Sequence, residues 1–306
     1  MAVTATTSEA PMRAIGFMLV GSALLTLSDA IVKSLTAYYP TGQILFVRAL
    51  FVFLPIMLFT WRAGGVAVLR IHNVKGQVGR ALCVVGSATC YITGLNYLPL
   101  TDMVAIGFAN PLVVTAMAPI FLSEKVGWRR WLAVMVGFMG VLFMVRPAGE
   151  AVQWAVIFPM AAVMFGATRD IVTRHLHRSD RTEAVLFVST LVVMLAGLAT
   201  WPFGWNTLDP RHLLHFLSIG LLVGGAHFMV IESFRLGEVA VVSPFKYTNM
   251  IWATLFGFLL FGHLPGSGTI IGALIVIVSG IYILHRETVR KRAALQAERE
   301  NVVTRS

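Results

Sequence analysis

The side chains able to do chemistry in this sequence are the few charges inside long apolar runs. Each costs several kcal/mol in hydrocarbon unless it is paired or hydrated. Asp29 and Lys33 stand four residues apart in the first run. With Ser22 and Thr26 they follow i, i+4, i+7, i+11 spacing, which predicts one polar stripe on a helix. An acid four residues before a base is the favourable order for a helical ion pair. Arg48 lies near the start of the next run, at similar depth. Asp29, Lys33 and Arg48 therefore form a candidate cluster that gates a passage or couples it to protons. The plainer reading is a snorkelling pair near a helix end, capped by the arginine. Arg169, Asp170 and Arg174 make a second group. Arg169 and Asp170 lie deeper and are expected to pair, and Asp170 joins the gate or proton-coupling candidates.

Lys246 follows the apolar stretch VAVVSPF, with Tyr247, Asn249 and Trp252 close by in sequence. Pro244 would free a backbone carbonyl there and break the helix locally. A cation beside such a break could hold a carboxylate or phosphate; it could equally snorkel or neutralise Glu232 or Glu238. Glu232 could carry a proton or form a plain salt bridge to Lys246. His227 is more central, a proton relay or a hydrogen-bonded packing residue. Asn110, beside Pro111, could donate to a ligand or satisfy the carbonyl that the proline frees. Ser87, Tyr91 and Gly94 share a helix face, where Tyr91 could stack on a planar molecule or simply pack. The expected binding set is Tyr91, Asn110, His227, Lys246, Asn249 and Trp252.

Other chemistries find no motif. No glycine-rich phosphate loop precedes a helix, no Cys/His spacing suggests a metal site, and no nucleophile–base motif is visible. The expectation is a protein that is not an enzyme and uses no cofactor or metal. Cys83 and Cys90, seven residues apart in one apolar run, would lie about 10 Å apart along a helix, too far for a disulfide.

The elements that must position these groups are apolar helices. Of 306 residues, 57% are hydrophobic and only 12% charged, where a soluble domain carries about 25% charge. Mean hydropathy is +0.79. Runs of about 20 apolar residues recur, each long enough to cross a bilayer core about 30 Å thick. Ten helices are expected, at 13–36, 42–62, 75–97, 101–123, 128–146, 152–174, 183–203, 213–235, 239–262 and 267–285. Pro55, Pro111, Pro119, Pro159 and Pro244 fall inside them, which lipid-embedded bundles tolerate where neighbours re-satisfy the backbone. Tryptophans near predicted helix ends, including Trp128, Trp131, Trp154, Trp201 and Trp205, read as interface anchors. The first run has no cleavage site after it and is expected to be retained.

The net charge of +10 does not indicate nucleic acid, because the basic residues sit in the short links. Alternate helix ends carry eighteen Lys/Arg on one side and only Arg146 and Arg211 on the other. The positive-inside rule then places both termini in the cytoplasm. The stretch Leu25–Val52 recurs 141 positions on, at Gly166–Val193: Asp29 falls on Asp170, Lys33 on Arg174, Thr41 on Thr182, and Leu45-Phe46-Val47 on Leu186-Phe187-Val188. A repeat of five helices is odd-numbered, so the second copy enters the membrane from the opposite side. Inverted repeats are the usual architecture for alternating access, with the binding site between the halves.

Several segments resemble a known family. Tyr97-Leu98-Pro99-Leu100-Thr101-Asp102 leads into Asn110-Pro111-Leu112, then Phe121-Leu122-Ser123-Glu124-Lys125, with Gly137 and Gly140 following. The second half answers with Arg235-Leu236-Gly237-Glu238, Phe261-Gly262-His263, Gly272 and Gly280. The chain is similar to the drug/metabolite transporter superfamily, and within it to the EamA-type ten-helix transporters, over about 13–286. Two positions depart: His263 stands where an acidic residue is expected, and the helix-nine proline is displaced to Pro244. The resemblance implies a cavity lined by helices 1, 3, 4, 6, 8 and 9, with helices 5 and 10 peripheral. The expected organisation is a cytoplasmic tail at 1–12, repeats at 13–146 and 152–286, and a cytoplasmic tail at 287–306. The fold class expected is an all-α membrane protein of two inverted five-helix repeats. Its function would be secondary transport of a small organic metabolite across the inner membrane: an amino acid, a riboflavin-like vitamin or an S-adenosylmethionine-like compound. The partners are then a small-molecule substrate, the lipid bilayer and, for coupling, protons. The alternatives are a passive channel of the same shape or, further off, a membrane enzyme or assembly subunit.

Overall fold

A computed structural model describes residues 9–62, 64–65, 69–121, 127–145, 154–176, 182–237 and 239–303. Among the described residues there is no strand. The helices are α1 (Glu9–Leu35), α2 (Thr41–Arg62), α3 (Val74–Tyr97), α4 (Leu100–Gly107), α5 (Asn110–Phe121) and α6 (Trp128–Val145). The second half holds α7 (Ile157–Leu176), α8 (Thr182–Leu198), α9 (Pro210–Leu236), α10 (Val239–Val242), α11 (Asn249–Phe261) and α12 (Ser267–Val303).

Among the described residues, eight helical segments are long and apolar enough to cross a membrane. One of them, Leu100–Phe121, combines α4 with α5. The remaining two of the ten spans are α6 and the segment from α10 to α11, which a 3-10 helix at Ser243–Thr248 interrupts. Spans four and nine are therefore both broken, and both resume at an asparagine, Asn110 and Asn249. Pro111 does not sit in mid-helix as expected from sequence. It is the second residue of α5, where a missing N–H leaves no bond unmade.

The halves interleave. α1 packs along α9, and its repeat counterpart α7 packs along α3. α2 lies on α9, and its counterpart α8 lies on α3. α2 also meets α8, and α6 meets α12, each an element against its own counterpart. Such reciprocal contacts are what a two-fold axis requires. With five spans in each half, the repeats cross in opposite senses.

Small residues set the closest approaches. A Cβ at Gly220 of α9 would stand 2.7 Å from the backbone of Phe51, so α2 and α9 touch main chain to main chain there. Gly224 meets Pro55 one turn on. The Gly220-x-x-x-Gly224 pattern thus serves packing within the chain. α6 and α12 approach similarly, with a Cβ at Gly140 placed 2.8 Å from the Gly272 carbonyl. Away from these seams the exterior is apolar: Met135, Met139 and Leu142 on α6, and Leu274 and Val278 on α12, are exposed. That is the surface a lipid environment requires. Trp128, Trp154 and Trp201 are exposed near span ends. Trp205 departs from the anchor reading. It packs on Phe46, with ring centroids 5.2 Å apart, and its Nε1 donates to Thr200 Oγ1 at 3.0 Å.

Candidate functional site

The α2–α3 wall of one half and the α8–α9 wall of the other enclose a cavity of about 810 Å³, within the range of small-molecule sites. On α2 the lining runs from Leu45 to Arg62. At 1.5 Å per residue that is about 25 Å of helix, most of a membrane span. Leu45, Arg48, Ala49 and Val52 on α2 reappear as Leu186, Ser189, Thr190 and Val193 on α8. Each pair is separated by the offset of the sequence repeat, 141 positions (186 less 45). α1 and α7 each add one charged residue, Asp29 and Arg169.

One end of the cavity is sealed. Gln43 Nε2 donates to the Asn206 carbonyl at 2.7 Å, and Asn206 N–H donates to Gln43 Oε1 at 3.0 Å. Tyr39 Oη bonds His212 Nδ1 at 2.8 Å and accepts from the Asp209 N–H at 3.1 Å. These contacts join the α1–α2 link and the first turn of α2 in the first half to the α8–α9 link and the first turn of α9 in the second. The opposite end is open, with Arg62 and Arg235 exposed at its mouth.

Five of the sequence candidates line this cavity: Asp29, Arg48, Tyr91, His227 and Glu232. Tyr91 Oη donates to Asp29 Oδ2 at 3.0 Å. His227 Nδ1 lies 2.8 Å from the Val223 carbonyl, which can only accept. Nδ1 therefore carries the proton, and Nε2 is left for the cavity, where the side chain is exposed. Glu232 is held by Arg235 at 2.7 Å, not by Lys246.

The polar stripe on α1 divides. Ser22 and Thr26 are buried, with Thr26 Oγ1 donating to the Ser22 carbonyl at 2.9 Å. Lys33 does not pair with Asp29. Its Nζ donates to the carbonyls of Leu95 and Leu98, both at 2.7 Å, and stands 5.6 Å from the Phe261 ring centre. The physical reason lies in α3, which ends at Tyr97 and leaves its last carbonyls without helical donors. An ammonium reaching them satisfies both the charge and the helix end.

Asn110, Lys246, Asn249 and Trp252 do not line this cavity. Spans four and nine stand behind α7 and α1, which pack between them and the walls. In this cavity spans two and seven (α2 and α8) stand where the resemblance implied helices 4 and 9. Asn110 Nδ2 instead donates to Asp170 Oδ2 at 2.8 Å, while Asp170 Oδ1 accepts from Arg169 Nη2 at 2.7 Å. Asp170 thus bonds Arg169, which lines the cavity, without lining it itself. Lys246 Nζ stands 4.9 Å from the Phe234 ring centre, a cation–π contact. Asn249 Oδ1 and Trp252 Nε1 are shielded and, among the described residues, make no hydrogen bond.

Three cavity arginines, Arg62, Arg80 and Arg235, read in the sequence only as topology signals. Arg80 donates to Thr173 Oγ1 at 2.8 Å and to Ser189 Oγ at 2.7 Å. A signal for it existed: the helix face through Ser87 and Tyr91, extended back at i−3 and i−7 from Ser87, passes Val84 and reaches Arg80.

A bundle of ten spans in two interleaved repeats, with a charged hollow between them sealed at one end, defines a membrane transport protein. The sequence pattern of the EamA-like transporter family matches residues 12–146 and again 153–285, and the chain belongs to that family. It is 25% identical over 288 residues to a riboflavin transporter of Rhizobium johnstonii, covering 93% of this chain and 95% of the relative. It is 23% identical to an S-adenosylmethionine uptake transporter of Rickettsia conorii, covering 89% and 92%. It is 26% identical to a pseudopaline exporter of Pseudomonas aeruginosa, covering 83% and 89%. One solved crystal structure superimposes with a TM-score of 0.62 at 17% identity, covering 90% of this chain and 97% of the other. That likeness concerns the fold.

Proposed function

We propose that the protein is a secondary transporter that carries a small organic metabolite through the hollow between its halves by alternating access. The observation that carries the reading is the cavity's asymmetry within a symmetric frame. It reaches from one end past the middle, and hydrogen bonds between the two halves close it at the other. Exchanging the roles of the two repeats would open the sealed end and close the open one. Tyr91 and His227 are the proposed substrate contacts, with Asp29, Arg48 and Glu232 beside them. The Asp29 carboxylate, bonded to Tyr91, is the proposed proton carrier. Asp170 orients Arg169 from behind, and Lys33 fixes the sealed end of α3.

The proposed location is an inner (plasma) membrane, with both termini and the open mouth on the cytoplasmic side. The excess of Lys/Arg at that end supports this. Repeats at 13–146 and 152–286 then form the transport unit, and the tails at 1–12 and 287–306 are cytoplasmic. Riboflavin-like vitamins, S-adenosylmethionine-like compounds and amino acids are the substrates to try first. The relatives' names include both uptake and export, so the direction of net transport is left to the gradient.

Counterflow in proteoliposomes tests the reading. Vesicles preloaded with an unlabelled compound from this set are expected to take up the labelled compound faster than empty vesicles. A channel of the same shape would show flux without that stimulation, and such a result removes the carrier reading.

A further inference from the structure

The cavity wall carries five guanidinium groups, Arg48, Arg62, Arg80, Arg169 and Arg235, against two carboxylates, Asp29 and Glu232. Two of the arginines are matched: Arg169 pairs with Asp170 and Arg235 with Glu232, both at 2.7 Å. Among the described residues, Arg48, Arg62 and Arg80 make no ion-pair contact; Asp29 acts on Arg48, and Asp170 on Arg80, only through space. Arg62 is exposed at the mouth, where water solvates it. Arg48 and Arg80 are half-buried, deeper in a wall that is otherwise largely apolar.

Arg80 is held in place by hydroxyls, not by an acid. Thr173 and Ser189 take two of its donors, and a guanidinium has five. Among the described residues, the remaining donors take no hydrogen bond. Arg48 and Ser189 occupy equivalent positions in the two repeats, and Arg48, Arg80 and Ser189 all line the hollow. A planar fork of donors matches a carboxylate or phosphate with two parallel bonds. The rest of the wall suits an organic body: Val52, Ile56 and Phe59 of α2 and Val223, Phe228 and Ile231 of α9 line it. Phe59 and Phe228 stack with ring centres 5.7 Å apart and planes 10° apart.

We infer that the transported compound is an organic anion, a carboxylate or phosphate ester on an apolar or aromatic body, held by Arg48 and Arg80. This rests on the carrier reading above and narrows its substrate class. It ranks phosphorylated or carboxylated metabolites above neutral riboflavin and above the sulfonium cation S-adenosylmethionine.

The test is thermal stabilisation of the purified full-length protein at low ionic strength by matched compounds. One pair is riboflavin 5′-phosphate and riboflavin; another is phenylacetate and phenylacetamide; S-adenosylmethionine is the cationic control. A ligand of the folded state raises the melting temperature by mass action. The anion of at least one pair is expected to bind about ten-fold or more tightly than its neutral partner, which is about 1.4 kcal/mol. That preference is expected to weaken with added salt. It is expected to vanish in Arg48→Gln and Arg80→Gln and to persist in part in Arg48→Lys. Unliganded melting of each variant reports whether it folds, and Arg48→Lys keeps the question open to measurement if a glutamine variant does not. Equal shifts within both pairs, larger shifts for the neutral or cationic compound, or no shift from either anion overturns the inference. Counterflow separates this failure from that of the carrier reading: trans-stimulated exchange of a neutral or cationic compound sinks the anion and leaves the carrier.

Discussion

At Asp29 the Tyr91 hydroxyl donates to one carboxylate oxygen across the space between α1 and α3. An asparagine there keeps the shape and can still accept that hydrogen bond, but it cannot exchange a proton. Asp29→Asn is therefore expected to leave folding and counterflow largely intact while abolishing accumulation driven by a pH gradient. Labelled substrate would merely equilibrate. Accumulation that still follows the gradient in this variant would remove Asp29 from proton coupling. Lys33, four residues on, shows why spacing alone misassigns such groups. The i, i+4 rule gives the pair a favourable helical geometry, yet two carbonyls at a helix end outcompete the acid. Helix-end demands of a neighbouring element are invisible in the sequence of α1. Asp29, Arg48, Tyr91, His227 and Glu232 were legible because polar groups stand out in apolar runs. Arg62, Arg80 and Arg235 were not, because a mouth arginine and a topology arginine look alike until the helix faces are known.

At the scale of elements, the walls hold their shape because glycines let helices touch. Gly220 and Gly224 seat α9 against α2, with a Cβ at Gly220 placed 2.7 Å from the Phe51 backbone. Backbone cannot give way as a flexible side chain can. Gly220→Val is expected to destabilise the protein by about 1–3 kcal/mol, the usual cost of overpacking. Thermal unfolding in detergent reads that loss. Gly225→Ala is the control, since its Cβ would meet only Leu24 at 3.7 Å, and its melting temperature should stay near that of the parent protein. A Gly220 variant as stable as the control would contradict the packing described for α2 and α9. Span existence was readable from hydropathy, and so was the break near Pro244. The break in span four was not, because Asn110-Pro111 reads equally as a tolerated helical proline. It lies in the first turn of a new helix, where proline is favoured.

For the molecule as a whole, the repeat predicted from an offset of 141 positions reappears in the cavity wall at the same offset. Sequence periodicity thus announced the symmetry; the lining helices it could not announce, because the interleaving of the halves is a tertiary fact. α1 and α7 come between the walls and the broken spans, so the hollow forms one layer away from the position the resemblance implied. The central claim is that the two ends of this hollow open in turn. The most direct measurement is a pair of spin-label distances in a variant whose Cys83 and Cys90 are replaced by serine. One pair sits at the sealed end, at Tyr38 and Phe203; the other sits at the open end, at Trp61 and Leu236. All four positions are exposed. Across the transport cycle, with and without substrate, populations are expected in which one distance lengthens as the other shortens. Both ends lengthening together, or neither changing while substrate is exchanged, would contradict that claim.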